Sequence, residues 1–312
     1  MKVVFLGTGE IGLPALRWLL ECREHEVVAV VTQPDKPVGR KMVLTPPMVK
    51  VVADAAGVRV LQPERIRDGV EMLRGLAAEV FVVVAYGQML TQAVIDVPSV
   101  ACLNLHASLL PRHRGASPIQ AAILAGDEET GMTIMHVALG LDSGDVMLAE
   151  RIFITEEETG GTLHDKLAEC GPVALEKALR LLATGNAPRT PQDEKVMTHC
   201  RKLLREHGVI DWSLPAQEIA RRVRAFDPWP GTTARFSLED GESRTVKLFP
   251  PVEVVPVEGA PGRLLEAGAG GLVVACGNEA VKFHSLQAEG KRRMSVAEWL
   301  AGNTPPVVFN LP

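Results

Sequence analysis

The first 32 residues constrain this chain most. Lys2–Leu6 (KVVFL) is a short apolar, β-branched run that stops at Gly7-Thr8-Gly9, the pattern of a strand entering a turn. Leu13, Leu16, Leu19 and Leu20 then recur at helical spacing between Ile11 and Cys22. Val27–Thr32 (VVAVVT) is a second apolar strand. A strand, a helix and a strand in this length imply a parallel sheet with helices on its faces. Further strands are predicted at Val58–Leu61, Val80–Ala85 (VFVVVA), Cys102–Leu105, Thr133–Val137 and Asp145–Ile154. Pro118–Ala125 is predicted helical, and so is Leu163–Thr184, which ends at Gly185, a good helix stop. The expected fold class is α/β, a Rossmann-like parallel sheet.

The pattern changes near residue 186. Asn186–Asp193 (NAPRTPQD) is rich in Pro and polar residues and reads as a linker. A short helix is expected at Ala216–Ala225. About five short strands follow, at Thr232–Leu238, Thr245–Pro250, Gly262–Leu265, Leu272–Ala275 and Ala280–Leu286. Short strands with turn signals between them suggest a small OB-like barrel. The expected domains are 1–189, a linker over 190–206, and 207–312. A length of 312 residues suits two domains.

Hydrophobic residues make up 46% of the chain and charged residues 23%, which excludes a disordered chain. Cys22, Cys102, Cys170, Cys200 and Cys276 are scattered and form no C-x-x-C pair. A reduced, cytoplasmic protein without a metal site is therefore expected. The first residues lack a signal-peptide layout, and no run of 18 apolar residues exists to span a membrane. The net charge of −5 argues against a nucleic-acid partner if charge is averaged over the surface. It is not evenly spread. Residues 1–190 hold 18 Lys+Arg against 23 Asp+Glu, whereas 191–312 hold 15 of each.

Gly7-Thr-Gly9-Glu-Ile-Gly12 matches G-x-G-x-x-G between a strand and a helix. Such a turn can bring backbone close to a pyrophosphate. Two details oppose an NAD site. The second strand runs into Thr32-Gln33-Pro34 rather than an acidic residue, and Glu10 puts a negative charge in the turn. A tight strand-to-helix turn is the competing explanation.

Asn104-Leu-His106-Ala-Ser108-Leu-Leu-Pro111-Arg-His-Arg114-Gly115 follows the fifth strand, at the sheet edge where ligands bind in open α/β folds. Asn104 and His106 alternate, so they share one face. Gly140-Leu-Asp142-Ser-Gly-Asp145 is a Gly-rich loop with a central carboxylate. An amide, an imidazole and a carboxylate suit acyl transfer to an amine, with oxyanion stabilisation and proton movement. Taken singly, His106 reads as a structural histidine and Asp142 as a turn residue.

Asn104-x-His106-x-Ser108-Leu-Leu-Pro111 with Leu141-Asp142-x-Gly144 resembles the formyltransferases that use 10-formyltetrahydrofolate. The stretches Ser108–Gln120, Gln33–Lys50, Val82–Gly87 and Phe226–Pro230 (FDPWP) narrow the likeness to the methionyl-tRNA formyltransferases, over nearly the whole chain. In that family the first turn is usually a G-T-P type and binds no dinucleotide, so Gly9 and Gly12 are a departure. The resemblance implies formyl transfer to the α-amino group of methionine on initiator tRNA. Asn104, His106 and Asp142 would be the catalytic trio, with Asp142 holding His106 through an ordered water. Ser108, Leu109, Leu110 and Pro111 would contact the folate. Tyr86, Gly87, Gln88, Met89 and Leu90, with Ala138, Leu139, Gly140 and Leu141, would line the pterin pocket, largely through backbone. The formylation of a UDP-amino sugar by the same fold is the alternative activity, and an NAD-binding oxidoreductase is a remote one.

Lys36, Arg40, Lys41 and Lys50 fall in a Pro-rich loop that reads either as solvated surface or as functional. The resemblance implies that this loop enters the acceptor stem, with Arg40 touching the stem, while Arg112 and Arg114 hold the acceptor end. In the second half, Arg201-Lys202, Arg205, Arg221-Arg222, Arg224 and Lys291–Arg293 fit either phosphate contacts or exposed faces. Trp229, between two prolines, reads as a packing residue at a domain interface. A monomer is expected.

Overall fold

The computed structural model describes residues 1–39, 41–237 and 242–311. These divide into two compact units. The first contains Met1–Pro118, Glu129–Phe153 and His164–Cys200, and the second contains Ile119–Glu128, Ile154–Leu163 and Arg201–Pro312.

In chain order the elements of the first half are β1 (Lys2–Gly7), α1 (Leu13–Glu21), β2 (Glu26–Val31), β3 (Lys36–Val38), β4 (Val43–Thr45), α2 (Met48–Ala55) and β5 (Val60–Leu61). Then come α3 (Val70–Arg74), β6 (Val80–Val84), α4 (Gln92–Ile95), β7 (Ala101–His106) and β8 (Arg114–Gly115). These are followed by α5 (Pro118–Ala125), β9 (Glu129–His136), β10 (Val146–Phe153), the 24-residue α6 (Gly160–Ala183) and β11 (His199–Cys200).

One seven-stranded sheet runs β10-β9-β7-β6-β1-β2-β5. β5, β2, β1, β6 and β7 pair in parallel, and β9 and β10 add an antiparallel edge. β6 is buried along its length, as its uninterrupted Val/Phe run requires for a strand covered on both faces. From β1 the chain places β2 and β5 on one side and β6 and β7 on the other. The strand order therefore reverses between β1 and β6, where such sheets bind ligands. α6 ends at Gly185, whose φ of +69° suits a glycine just past a helix.

The predicted strands and helices of this half are present with boundaries shifted by a few residues, the largest change being at β9. Two features differ from expectation. The loop 34–50 contains an antiparallel hairpin, Lys36↔Thr45 and Val38↔Val43. Residues 190–200, read as linker, are built into the first unit. Thr190 exchanges backbone hydrogen bonds with Val146, and β11 pairs with β8.

The second unit contains α7 (Ala216–Ala225), β12 (Thr232–Ser237), β13 (Ser243–Leu248), β14 (Val252–Val255), β15 (Leu264–Gly268) and β16 (Gly271–Ala275). β17 (Ala280–Phe283), β18 (Ser285–Ala288), β19 (Met294–Ser295) and α8 (Val296–Leu300) complete it. The strands form two four-stranded antiparallel sheets, β12-β13-β18-β19 and β14-β17-β16-β15, more strands than the five predicted. The Ala280–Leu286 run is two strands rather than one. Leu238, predicted to end a strand, lies outside the described residues. Both sheets share one core in which Trp212, Phe236, Phe283, Trp299 and Phe309 meet. Ring centroids there lie 5.4 to 6.5 Å apart, the range of favourable aromatic pairs. α7 buries Ala216, Ile219, Ala220 and Val223 on one face, the helical spacing read from the sequence.

Candidate active site

β7 carries Asn104 and His106 on one face, opposite Met135 and Thr133 of β9. The loop after β9 folds back so that Asp142 reaches both. Asn104 Nδ2 lies 3.5 Å from Asp142 Oδ1, and His106 Nδ1 lies 3.6 Å from Asp142 Oδ2. His106 is 6% exposed. Its Nε2 is 3.0 Å from the His113 carbonyl. A carbonyl only accepts, so Nε2 carries a hydrogen and Nδ1 is the nitrogen left facing the carboxylate. Asp142 Oδ2 also accepts from the Gly115 amide at 2.9 Å.

The loop from Ser108 to Gly115 is held by its own backbone. The Ser108 hydroxyl is buried and donates to the Arg112 carbonyl at 2.7 Å, while Thr133 Oγ1 donates to the Ser108 carbonyl at 2.5 Å. Ser108 thus shapes the turn, and its hydroxyl is committed within the chain. Leu109, Leu110 and Pro111 are half-buried. Gly115 has φ of +125°, and a Cβ there would come within 2.1 Å of the Cys200 carbonyl oxygen. Only glycine lets β8 lie this close to β11 while pointing its amide at Asp142.

Arg114, expected with Arg112 to hold the acceptor end, is turned into the chain. It is 4% exposed, with its guanidinium on Glu194 at 2.7 Å and its Nε on Gln192 Oε1 at 2.9 Å. The Arg114 guanidinium holds the Glu194 carboxyl below its usual range. Gln192 Nε2 donates to the Asp142 carbonyl at 2.9 Å and to the Gly144 carbonyl at 2.7 Å. Thr198 Oγ1 accepts from the His113 amide at 2.8 Å. Sequence reasoning missed Gln192, Thr198 and Thr133, because nothing in a Pro-rich polar stretch or a strand interior marks a supporting hydrogen bond. Cys200 is buried beside this loop, and burial pushes its thiol up.

Tyr86 opens the loop after β6. Its ring is buried, and burial pushes its hydroxyl to about 12. Its carbonyl accepts from Thr8 Oγ1 at 3.0 Å and Gln33 Nε2 at 2.9 Å. Gln88 is likewise spent on the chain, at the Ile66 amide and the Glu64 carbonyl. Tyr86 and Gln88 therefore fix the loop, and Gly87 and Met89 are its exposed members. Tyr86 belongs to a core cluster on which Leu90 and Val137 also pack, so this loop and the one after β9 border common ground. Ala138, Leu139, Gly140 and Leu141 are all exposed. Met89, Leu139 and Leu141 are exposed large apolar side chains on these two loops. The first glycine turn is closed by Gly9 N–H on the Ala85 carbonyl. A Cβ at Gly12 would press on Phe5 and Val84. Close packing accounts for these glycines.

Of the basic loop, Lys36 and Lys41 are exposed, and Lys36 Nζ donates to Gln33 Oε1. Lys50 is half-buried on Asp35 at 3.1 Å. The hydrogen bonds from Gln62 and Lys50 hold the Asp35 carboxyl below its usual range. Lys50 therefore latches the hairpin. Arg40 lies outside the described residues. Arg112 is exposed, and so is Trp229, at 48%. Among the described residues no cluster of His, Cys, Asp and Glu is placed to hold a metal ion. No helix among them is long and apolar enough to cross a membrane.

Residues 1–179 match the family described as formyl transferase, and residues 202–304 match the formyl transferase C-terminal domain. A methionyl-tRNA formyltransferase of Akkermansia muciniphila is 47% identical over 306 residues, covering 97% of each chain. Another, from Geobacter sulfurreducens, is 41% identical over 97% of this chain and 94% of its own. Among solved structures, HypX from Aquifex aeolicus in complex with tetrahydrofolic acid matches with a TM-score of 0.62 at 19% identity. That match covers 96% of this chain and 47% of HypX, so the chain spans about half of HypX's length. An N-formyltransferase from Helicobacter canadensis, in complex with folinic acid and dTDP-3-aminofucose, matches with a TM-score of 0.66 at 15% identity, covering 92% and 99%. These two establish a shared fold. The two family matches in their order, and the near-full-length identity to methionyl-tRNA formyltransferases, show that the chain belongs to the formyl transferase family.

Proposed function

We propose that the chain transfers the formyl group of 10-formyltetrahydrofolate to the α-amino group of methionine on initiator tRNA. The observation that carries this reading is the convergence of Asn104 and His106 on the Asp142 carboxylate, at 3.5 and 3.6 Å. The near-full-length relatives carry the name of that activity.

When bound, the folate supplies an acyl carbon on an amine leaving group. Gly87, Met89, Leu90 and the 138–141 loop would hold its ring, beside Leu109, Leu110 and Pro111. As the methionyl amine forms its bond to the formyl carbon, Asn104 Nδ2–H stabilises the charge growing on the formyl oxygen, and the His106 ring adds its positive charge once Nδ1 has taken a proton. His106 Nδ1 takes a proton from the attacking amine and returns it to the departing nitrogen. With Nε2 already donating to His113, a second proton makes the ring an imidazolium, and Asp142 is its countercharge.

The hairpin β3–β4, with Lys36, Lys41 and Arg40, would reach the acceptor stem, and Arg112 the acceptor end. Lys50 and Arg114 would support these parts from inside. We assign 1–189 to formyl transfer and 207–312 to tRNA. The joining stretch 190–206 lends Gln192 and Thr198 to the site. The buried, unpaired thiols support a reducing compartment, the cytoplasm, and we take the active form as a monomer.

The test offers the purified chain charged initiator tRNA and, separately, a UDP-amino sugar, each with the formyl donor. N-formylmethionyl-tRNA is expected. Product on the sugar alone would overturn the reading.

A further inference from the structure

We propose that Gln192 is a positioning residue that holds Asp142 in its working geometry from the backbone side. The proposal rests on the formyl-transfer reading above and adds a residue to it.

Asp142 has φ of +47°, in the left-handed region that side-chain-bearing residues occupy only at a cost in strain. Such a conformation persists only where the surroundings over-determine it. On the side chain, Oδ2 accepts from the Gly115 amide at 2.9 Å, and the longer contacts to Asn104 and His106 are 3.5 and 3.6 Å. The other restraints are on the backbone. Gln192 Nε2 donates to the carbonyls of Asp142 and Gly144, at 2.9 and 2.7 Å, and so bridges both ends of the turn that carries the carboxylate. Gly144 lies close against the end of β9, where a Cβ would come 1.7 Å from the His136 carbonyl oxygen, so only glycine fits the turn at this point.

The amide orientation of Gln192 is fixed by chemistry. Two carbonyls accept only, and the Arg114 guanidinium donates only, so Nε2 faces the turn and Oε1 faces Arg114 Nε. Arg114 is in turn fixed by Glu194, and the Gln192 segment by the paired backbones of Thr190 and Val146. The result is a strut from β10 and β8 to the carboxylate. Gln192 donates both of these bonds to main-chain carbonyls, so it acts through Asp142.

The test uses the full chain with charged initiator tRNA and formyl donor, and the variant Gln192→Met, which keeps length and removes the amide. Misplacing a reacting group by about 1 Å costs about 100-fold. The expected fall in kcat is therefore about 10- to 100-fold, with KM for both substrates within about threefold. The deciding readout is a double-mutant cycle. In an Asp142→Asn background, Gln192→Met should change kcat by less than about threefold, because two parts of one unit do not lose activity twice.

Three results would overturn the proposal: a loss that multiplies in the Asp142→Asn background, an unchanged kcat, or a joint rise of both KM values. If Gln192→Met does not fold by circular dichroism, Gln192→Glu is read in the same way. It keeps an acceptor for Arg114 and replaces the donor by a carboxylate oxygen facing the two carbonyls. Failure of both variants to fold assigns the amide a folding role and also overturns the proposal. An unaltered chain that does not formylate methionyl-tRNA would instead refute the function proposed above.

Discussion

His106 and Asp142 divide their bonds between holding and reacting. His106 spends Nε2 on the His113 carbonyl and keeps Nδ1 toward Asp142, 3.6 Å away. His106→Ala and Asp142→Asn should each lower turnover by about 10²–10⁴-fold, the usual contribution of an acid–base group. Circular dichroism should stay unchanged, and near-normal turnover would remove the residue from the site. Gly115→Ala should act differently. Its Cβ would sit 2.1 Å from the Cys200 carbonyl oxygen at a φ of +125°, so unfolding stability should drop by about 3 kcal/mol or more in urea titration. A drop under about 1 kcal/mol would show that β8 and β11 can part freely. At this scale the sequence was partly legible. Asn104 and His106 could be paired because a strand repeats every two residues. Asp142 needed a loop to fold back, which spacing cannot show. Arg114 looked like a surface cation because burial is not written in a residue's identity.

At the scale of elements, continuous apolar runs marked β1, β2 and β6, since strands buried on both faces leave few polar positions. The hairpin β3–β4 left no such mark, because Val38, Met42, Val43 and Leu44 are all strongly exposed. Residues 190–200 passed for linker because prolines and polar side chains can equally pack as an irregular strap. Exposure makes the hairpin separable. Replacing residues 38–43 by a short Gly-Ser turn should leave the melting temperature within a few degrees, and kcat/KM for tRNA should fall by about 100-fold. Unchanged kcat/KM would place the acceptor stem elsewhere. β9 carries a second expectation. His136 is buried with Nδ1 unpartnered. Burial and then Arg189 hold it below its usual 6.5, against the Pro188 carbonyl and Asp145. The unfolded chain therefore takes up a proton near pH 6.5 that the folded ring refuses, so stability declines as pH falls below that value. The decline ends once pH passes the folded-state value. His136→Gln should flatten this limb of a melting-temperature profile between about pH 7 and about pH 5, and an unchanged slope would assign it to other groups.

For the whole molecule, the five unpaired cysteines report on two cores at once. Cys102 is buried in the cluster of β1, β2 and β6 side chains, and Cys276 in the aromatic core of the second unit. Burial pushes both thiols to about 12, so neither forms thiolate near neutral pH, and thiolate is the reactive species. Cys22 is only half-buried. A short iodoacetamide pulse on the native chain near pH 8, read by mass spectrometry, should therefore modify Cys22 and spare Cys102 and Cys276. The same pulse through a urea series should expose each buried thiol only as its own core opens, because protection tracks unfolding where cleft access is absent. Modification of Cys102 at the rate of Cys22 in the native chain would mean that the central sheet opens without unfolding. A sheet that opened freely could not hold Asn104, His106 and Asp142 to the sub-ångström tolerance that acyl transfer needs. The labelling pattern of one core cysteine thus tests the rigidity on which the proposed chemistry depends.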